Sequence, residues 1–121
     1  MITVMVVVGA ALGAPARYVG DVFVTGRTRG SFPYGTLLVN AVGSFVLGLV
    51  TGLALHHGLP SSWQALVGTG FCGALTTYST FSVETAGLLR DHRPIAASAN
   101  LVGSAVLGLL AAAAGLGLAL T

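Results

Sequence analysis

Lysine does not occur in this 121-residue chain, acidic residues number three, and charged residues of all kinds make up 7%. An ordinary soluble domain carries roughly 25%. The pI near 9.2 invites a nucleic-acid reading, but five scattered arginines form no basic stripe able to track phosphates, and that class of partner is excluded. Cysteine occurs once, at Cys72 inside an apolar segment, so no intrachain disulfide can form and the expected role is that of a small buried side chain. No nucleophile elbow, metal-ligand cluster or nucleotide-binding loop is present, and an enzyme is not expected. What remains is oily: 55% of residues are hydrophobic and the mean hydropathy is +0.92. This is the composition of a membrane protein, and a multi-pass place in the cell (inner or plasma) membrane is expected.

Residues 31–83 contain no Asp, Glu, Lys or Arg, and neither do residues 94–121. One transmembrane helix needs about 20 apolar residues. Four spans fit, at about 2–25, 33–56, 61–89 and 94–120, and they use up the chain as a single transmembrane domain, 1–121. The opening MITVMVVVGAALGAPA has the apolar core and small-residue end of a signal peptide but no basic start, and is read as the first half of helix 1. Short polar breaks separate the spans, and Pro94 suits the first turn of helix 4. His56, His57 and His92 fall in these breaks and are expected to be solvated. Tyr34 and Trp63 lie near helix ends, where amphipathic rings favour the membrane interface.

Residues 40–49, NAVGSFVLGL, and 100–109, NLVGSAVLGL, agree at eight of ten positions at an offset of 60. Gly13, Ala14 and Tyr18 match Gly73, Ala74 and Tyr78 at the same offset. Asparagine is rare here, and its place in both copies argues for two helix pairs in parallel orientation, an arrangement known among transport proteins. Asn40, Ser44, Gly48 and Gly52 share one helical face, as do Asn100, Ser104 and Gly108. Packing accounts for the glycines. Asn40 and Ser104 either pack or line something, since an unpaired polar group in hydrocarbon costs several kcal/mol.

The stretch GFCGALTTYSTFSVET, 70–85, concentrates hydrogen-bonding groups in this apolar setting. Glycine, hydroxyl and β-branched residues make a poor continuous helix, so helix 3 is predicted to break near Gly73 to Tyr78. Such a break is tolerated only where protein or a watery cavity covers it. Its freed carbonyls would suit a small hard cation. Thr76, Thr77, Ser79, Thr80, Ser82 and Thr85 supply donors for an anion, and the edges of Tyr78 and Phe81, three residues apart, can face one.

GALTTYSTFSVET, GTLLVNAVGS and GAPARY together resemble the fluoride channels of the Fluc (CrcB) family, over all four helices. The resemblance implies an all-α membrane fold with a broken helix 3, two protomers packed antiparallel, a structural Na⁺ at the dimer centre and two pores that conduct F⁻. By motif, the Na⁺ ligands would be the carbonyls of Gly73 and Thr76, and Asn40 would donate to permeating fluoride. Tyr78 and Phe81 stand where the family has two pore phenylalanines, so Tyr78 is a departure. Thr36 and Glu84 match a pair near one pore end, Arg17 an arginine near a vestibule, and Thr80 joins the pore donors. A helix 4 polar track would map to Asn100, Ser104 and Gly108, with the usual tyrosine and second hydroxyl missing. The function so implied is passive fluoride efflux that lowers cytoplasmic fluoride.

Other readings stay open for the charges. Arg17 and Asp21 are spaced to form a local ion pair, and Glu84 could simply cap polar backbone at the end of helix 3. With four spans, Arg27, Arg29, Arg90 and Arg93 share one side of the membrane, while the opposite side carries no Lys or Arg. That bias favours one orientation. A fixed orientation would require an oppositely oriented homologous subunit in place of an antiparallel homodimer, though Arg17 and Asp21 near the membrane edge blur the count. The rivals to a fluoride channel are a small multidrug-type four-helix transporter, disfavoured because helix 1 has no glutamate, and a structural membrane subunit whose polar residues are packing glue.

Overall fold

A computed structural model of the chain describes residues 1–30 and 32–121, so Ser31 lies outside the described residues. The described residues form helices and no strand. Three helices are long and apolar enough to cross a membrane: α1 (Ile2–Arg27), α2 (Tyr34–His57) and α5 (Pro94–Ala119). Their 24 to 26 residues exceed the about 20 that the hydrocarbon core requires. Local chemistry sets their ends. Gly58 closes α2 in the left-handed conformation (φ 65°, ψ 35°) with its amide on the Leu53 carbonyl, a geometry that is free of strain only for glycine. Pro94, whose missing N–H has no partner to lose in a first turn, opens α5.

Between α2 and α5 the chain is helical over 61–75 (α3) and again over Ser79–Arg90 (α4). Residues 76–78 between them are not helical, and Thr76 is extended (φ −82°, ψ 156°). α3 changes pitch along its length: α-helical at Ser61–Trp63, π-helical at Gln64–Cys72, α-helical again at Gly73–Leu75. The tight turn from α4 into α5 holds His92 at φ 57° and is closed by the Arg93 amide on the Leu88 carbonyl, 2.9 Å.

The two halves of the sequence repeat pack on each other. α2 lies against α5 with matching direction: Gly48 faces Ala112, Gly52 faces Leu116 and Ala119, and Gly115 faces Phe45 and Leu49. α1 lies against α3 in the same sense, with Gly9 and Gly13 facing Leu66, Phe71 and Ala74, and Gly70 facing Val6. These are parallel pairs held by backbone-to-backbone approach. A Cβ on Gly9 would meet the Leu66 carbonyl oxygen, and one on Gly70 would lie 2.6 Å from the Val6 carbonyl oxygen. Lipid tails are as apolar as leucine, so burial of large side chains drives little association here, and close dispersion contact between small residues replaces it. Large apolar residues accordingly point outward, Leu109 at 73% and Ile95 at 86% exposure among them. His57, expected to be solvated, also ties the ends of α2 and α5: its Nε2 lies 2.8 Å from the Ala119 carbonyl oxygen.

Candidate functional site

Asn40, in the second turn of α2, reaches the non-helical residues 76–78. Its Nδ2 donates to the Thr77 carbonyl at 3.0 Å, and the Thr77 amide donates to its Oδ1 at 2.8 Å. One primary amide thus satisfies both backbone groups of Thr77, a residue that no helix satisfies, which is how this non-helical step is tolerated in an apolar setting. The second Nδ2 proton of Asn40 remains available, since an amide nitrogen carries two.

Asn40 also lines an open groove of about 750 Å³. Along the same groove lie Gly73, Thr76, Tyr78, Phe81 and Ser104. The Tyr78 and Phe81 rings stand side by side, centroids 6.1 Å apart and tilted by 43°. Tyr78 is 81% exposed, so its ring and hydroxyl project from the groove wall and are not packed within the protomer. The walls are otherwise glycine, alanine, leucine and Cys72, with Ser44, Thr69 and Thr77 as further hydroxyls.

Arg17, Thr36 and Thr80 belong to a second, smaller cavity of about 200 Å³, together with Tyr18 and Asp21. Thr36 hydrogen-bonds the carboxylate of Glu84, whose Oε1 is buried without a partner among the described residues. Thr77 lines both cavities, so the residue that Asn40 grips is the partition between them. The expected site residues therefore fall into two groups on either side of Thr77.

Residues 4–116 match the model of the family described as CrcB-like protein, Camphor Resistance (CrcB). The chain belongs to the CrcB family. This CrcB chain is 48% identical to the fluoride-specific ion channel FluC 1 of Leifsonia xyli, over 98% of its own length and 85% of the relative's. It is 49% identical to FluC 1 of Frankia casuarinae (95% and 93% covered) and 45% identical to FluC of the archaeon Thermococcus onnurineus (88% and 85%), both also named fluoride-specific ion channels. The CrcB protein is a multi-pass membrane protein, in keeping with its three spanning helices.

The carbonyls of Gly73 and Thr76 lose their helical partners in this CrcB chain. In an uninterrupted helix the Gly73 carbonyl would accept from the Thr77 amide, and the Thr76 carbonyl from the Thr80 amide. Both donors are diverted: Thr77 to Asn40 Oδ1, and Thr80 to the Thr77 hydroxyl at 3.2 Å. Two hard oxygens are left without their helical partners on the residues the family motif selects, and such oxygens are what a hard cation takes.

From the sequence, Thr77 and Thr85 are expected only as hydroxyl donors. Their structural partners, Asn40 and Asn100, were both visible as rare amides on apolar helices, and a rare buried amide implies a fixed partner. Which partner each takes depends on the register between helices, which no local pattern encodes.

Proposed function

We propose that this CrcB protein is a fluoride-selective channel, not an enzyme, through which F⁻ leaves the cytoplasm passively after HF has entered through the bilayer. The observation that carries this is the groove: a wall of mostly small residues on which the second Asn40 Nδ2 proton is left as a donor, with the Phe81 ring on the same wall, while the Thr76 and Ser104 hydroxyls donate within the protein to the Cys72 carbonyl and to Asn100 Oδ1. A small anion can exchange its hydration for such donors and a positive ring edge, while a larger halide fits them badly. Arg17, Thr36 and Thr80 would form one end of the path, beyond Thr77, with Glu84 joined to it through Thr36.

The groove is open along one side, and the fold we infer is one interrupted third span per protomer in an antiparallel dimer whose second subunit closes the wall. That subunit is a second copy in dual topology or a homologous chain of opposite orientation. Four loop arginines on one side against none on the other support the second. A structural Na⁺ at the dimer centre would be held by the Gly73 and Thr76 carbonyls of both subunits, neutralising helix-end dipoles and fixing the packing.

Liposomes holding this chain, alone or together with its homologous partner, are expected to release fluoride and retain chloride in an ion-selective electrode assay. Equal efflux of both halides, or efflux that needs a proton gradient, overturns the channel reading. Fluoride efflux that appears only when a homologous chain is added rules out the homodimer, and efflux from the chain alone rules out the need for a partner. Replacing Na⁺ throughout by a bulky organic cation is expected to slow fluoride efflux with no Na⁺ carried. Unchanged efflux under those conditions removes the cation site.

A further inference from the structure

Asn100 is buried to 1% exposure, deeper than any other polar side chain among the described residues, and it is absent from the groove wall that Ser104 and Gly108 line. Its amide is engaged on both sides: Oδ1 accepts a long hydrogen bond from the groove-lining Ser104 hydroxyl at 3.5 Å, and the shorter bond runs to α4. Nδ2 donates to the Thr85 hydroxyl at 2.8 Å, and that hydroxyl donates in turn to the Phe81 carbonyl at 2.8 Å. The Thr85 proton and one of its lone pairs are thereby committed, which gives the chain from α5 to Phe81 a fixed direction.

α4 needs such an anchor. It has 12 residues, a length at which an isolated helix is marginal, and it begins directly after the non-helical residues 76–78. Leu88 is its one buried residue among those described. Phe81, Thr85 and Leu88 follow one another at spacings of four and three and so share a helical face. Rotation of α4 about its own axis is therefore set by Leu88 packing, by the Asn100–Thr85 bond and by the Thr36–Glu84 bond to α2, and the same rotation sets where the Phe81 ring stands on the groove wall. The two asparagines occupy equivalent places in the sequence repeat, and they hold this segment at two points: Asn40 at Thr77, Asn100 at Thr85.

We propose that Asn100 is a positioning residue for permeation, acting through Thr85 to fix the orientation of α4 and hence of Phe81. The proposal rests on reading the groove as the fluoride path. The test compares Thr85→Val, which keeps the shape and loses the hydroxyl, with Thr85→Ser, which keeps the hydroxyl, alongside Asn100→Leu and the Asn100→Leu/Thr85→Val double variant. Fluoride efflux from liposomes is read together with backbone hydrogen–deuterium exchange over residues 79–90. Thr85→Val and Asn100→Leu are each expected to slow efflux about tenfold and to speed exchange in that segment, as loss of one buried hydrogen bond implies. Thr85→Ser should match wild type in both readouts, and the double variant should be no slower than the slower single. A double variant whose loss is the product of the two singles overturns the proposal, because Asn100 would then act other than through Thr85. So does wild-type efflux with unchanged exchange in Thr85→Val, a comparison that stands even if Asn100→Leu does not fold. Should the wild-type protein pass no fluoride, the channel reading fails, while the exchange comparison still decides whether Asn100 holds α4.

Discussion

Gly115→Ala is expected to prevent the protein from being recovered as a stable folded species, while Gly117→Ala, two residues along the same helix, leaves it unchanged. A Cβ on Gly115 would meet the Phe45 carbonyl oxygen and would lie 2.8 Å from the Leu49 amide nitrogen. Both obstacles are backbone, so no side chain can rotate away and α2 and α5 must separate. Separation by even a fraction of an ångström forfeits a quarter to a half of the dispersion well at every contact along the seam, and that seam has no large-side-chain burial to fall back on. Overpacking usually costs about 1–3 kcal/mol, and here a loss of at least about 3 kcal/mol is expected because rigid main chain stands on both sides. A Cβ on Gly117 meets nothing within 4 Å, and alanine there favours helix. Thermal unfolding in detergent followed by circular dichroism checks the pair. Equal midpoints for Gly115→Ala and wild type would mean that the helices are not in backbone contact at this level.

The close approach that makes Gly115 sensitive also divides what was legible in the sequence from what was not. Charge-free tracts over 31–83 and 94–121 suffice to find α2 and α5, and Gly58 and Pro94 mark a stop and a start because each is favoured by the backbone conformation it adopts. The repeat of Asn40 and Asn100 pointed to paired parallel helices, and α2 does lie parallel on α5. The partners of those asparagines were not legible. Asn40 clasps the main chain of Thr77 and Asn100 the hydroxyl of Thr85, although the flanking residues are nearly identical. The difference comes from how far along α3 and α4 each helix meets its neighbour, which is set by the glycine contacts and by the π-helical stretch Gln64–Cys72. No residue type in that stretch announces a five-residue hydrogen-bond step. It is a tertiary outcome, in which the helix widens where α1 presents Gly9 and Gly13.

Asn40→Asp is expected to reduce fluoride efflux by about a thousandfold while the protein elutes unchanged on size exclusion. The substitution alters a single atom at a site where two roles meet. An aspartate can still accept from the Thr77 amide, now at 2.8 Å, but its second oxygen replaces the nitrogen that donates to the Thr77 carbonyl at 3.0 Å, so two acceptors would oppose each other. The donor offered to the groove disappears with it, and a negative charge takes its place beside a path proposed for an anion. Two like unit charges 4 Å apart repel by about 4 kcal/mol at an effective dielectric of 20, and each 1.36 kcal/mol on a barrier is tenfold in rate, which gives the about thousandfold loss. Asn40→Leu separates the two roles. It adds no charge but strands both Thr77 backbone groups, so it should lower the unfolding midpoint as well as the efflux, because an unpaired buried polar group costs about 1–3 kcal/mol. Thermal unfolding and fluoride efflux measured on both variants distinguish these effects. If Asn40→Asp conducts like wild type, the fluoride path does not pass Asn40, and the groove between α2, α3 and α5 is not the pore.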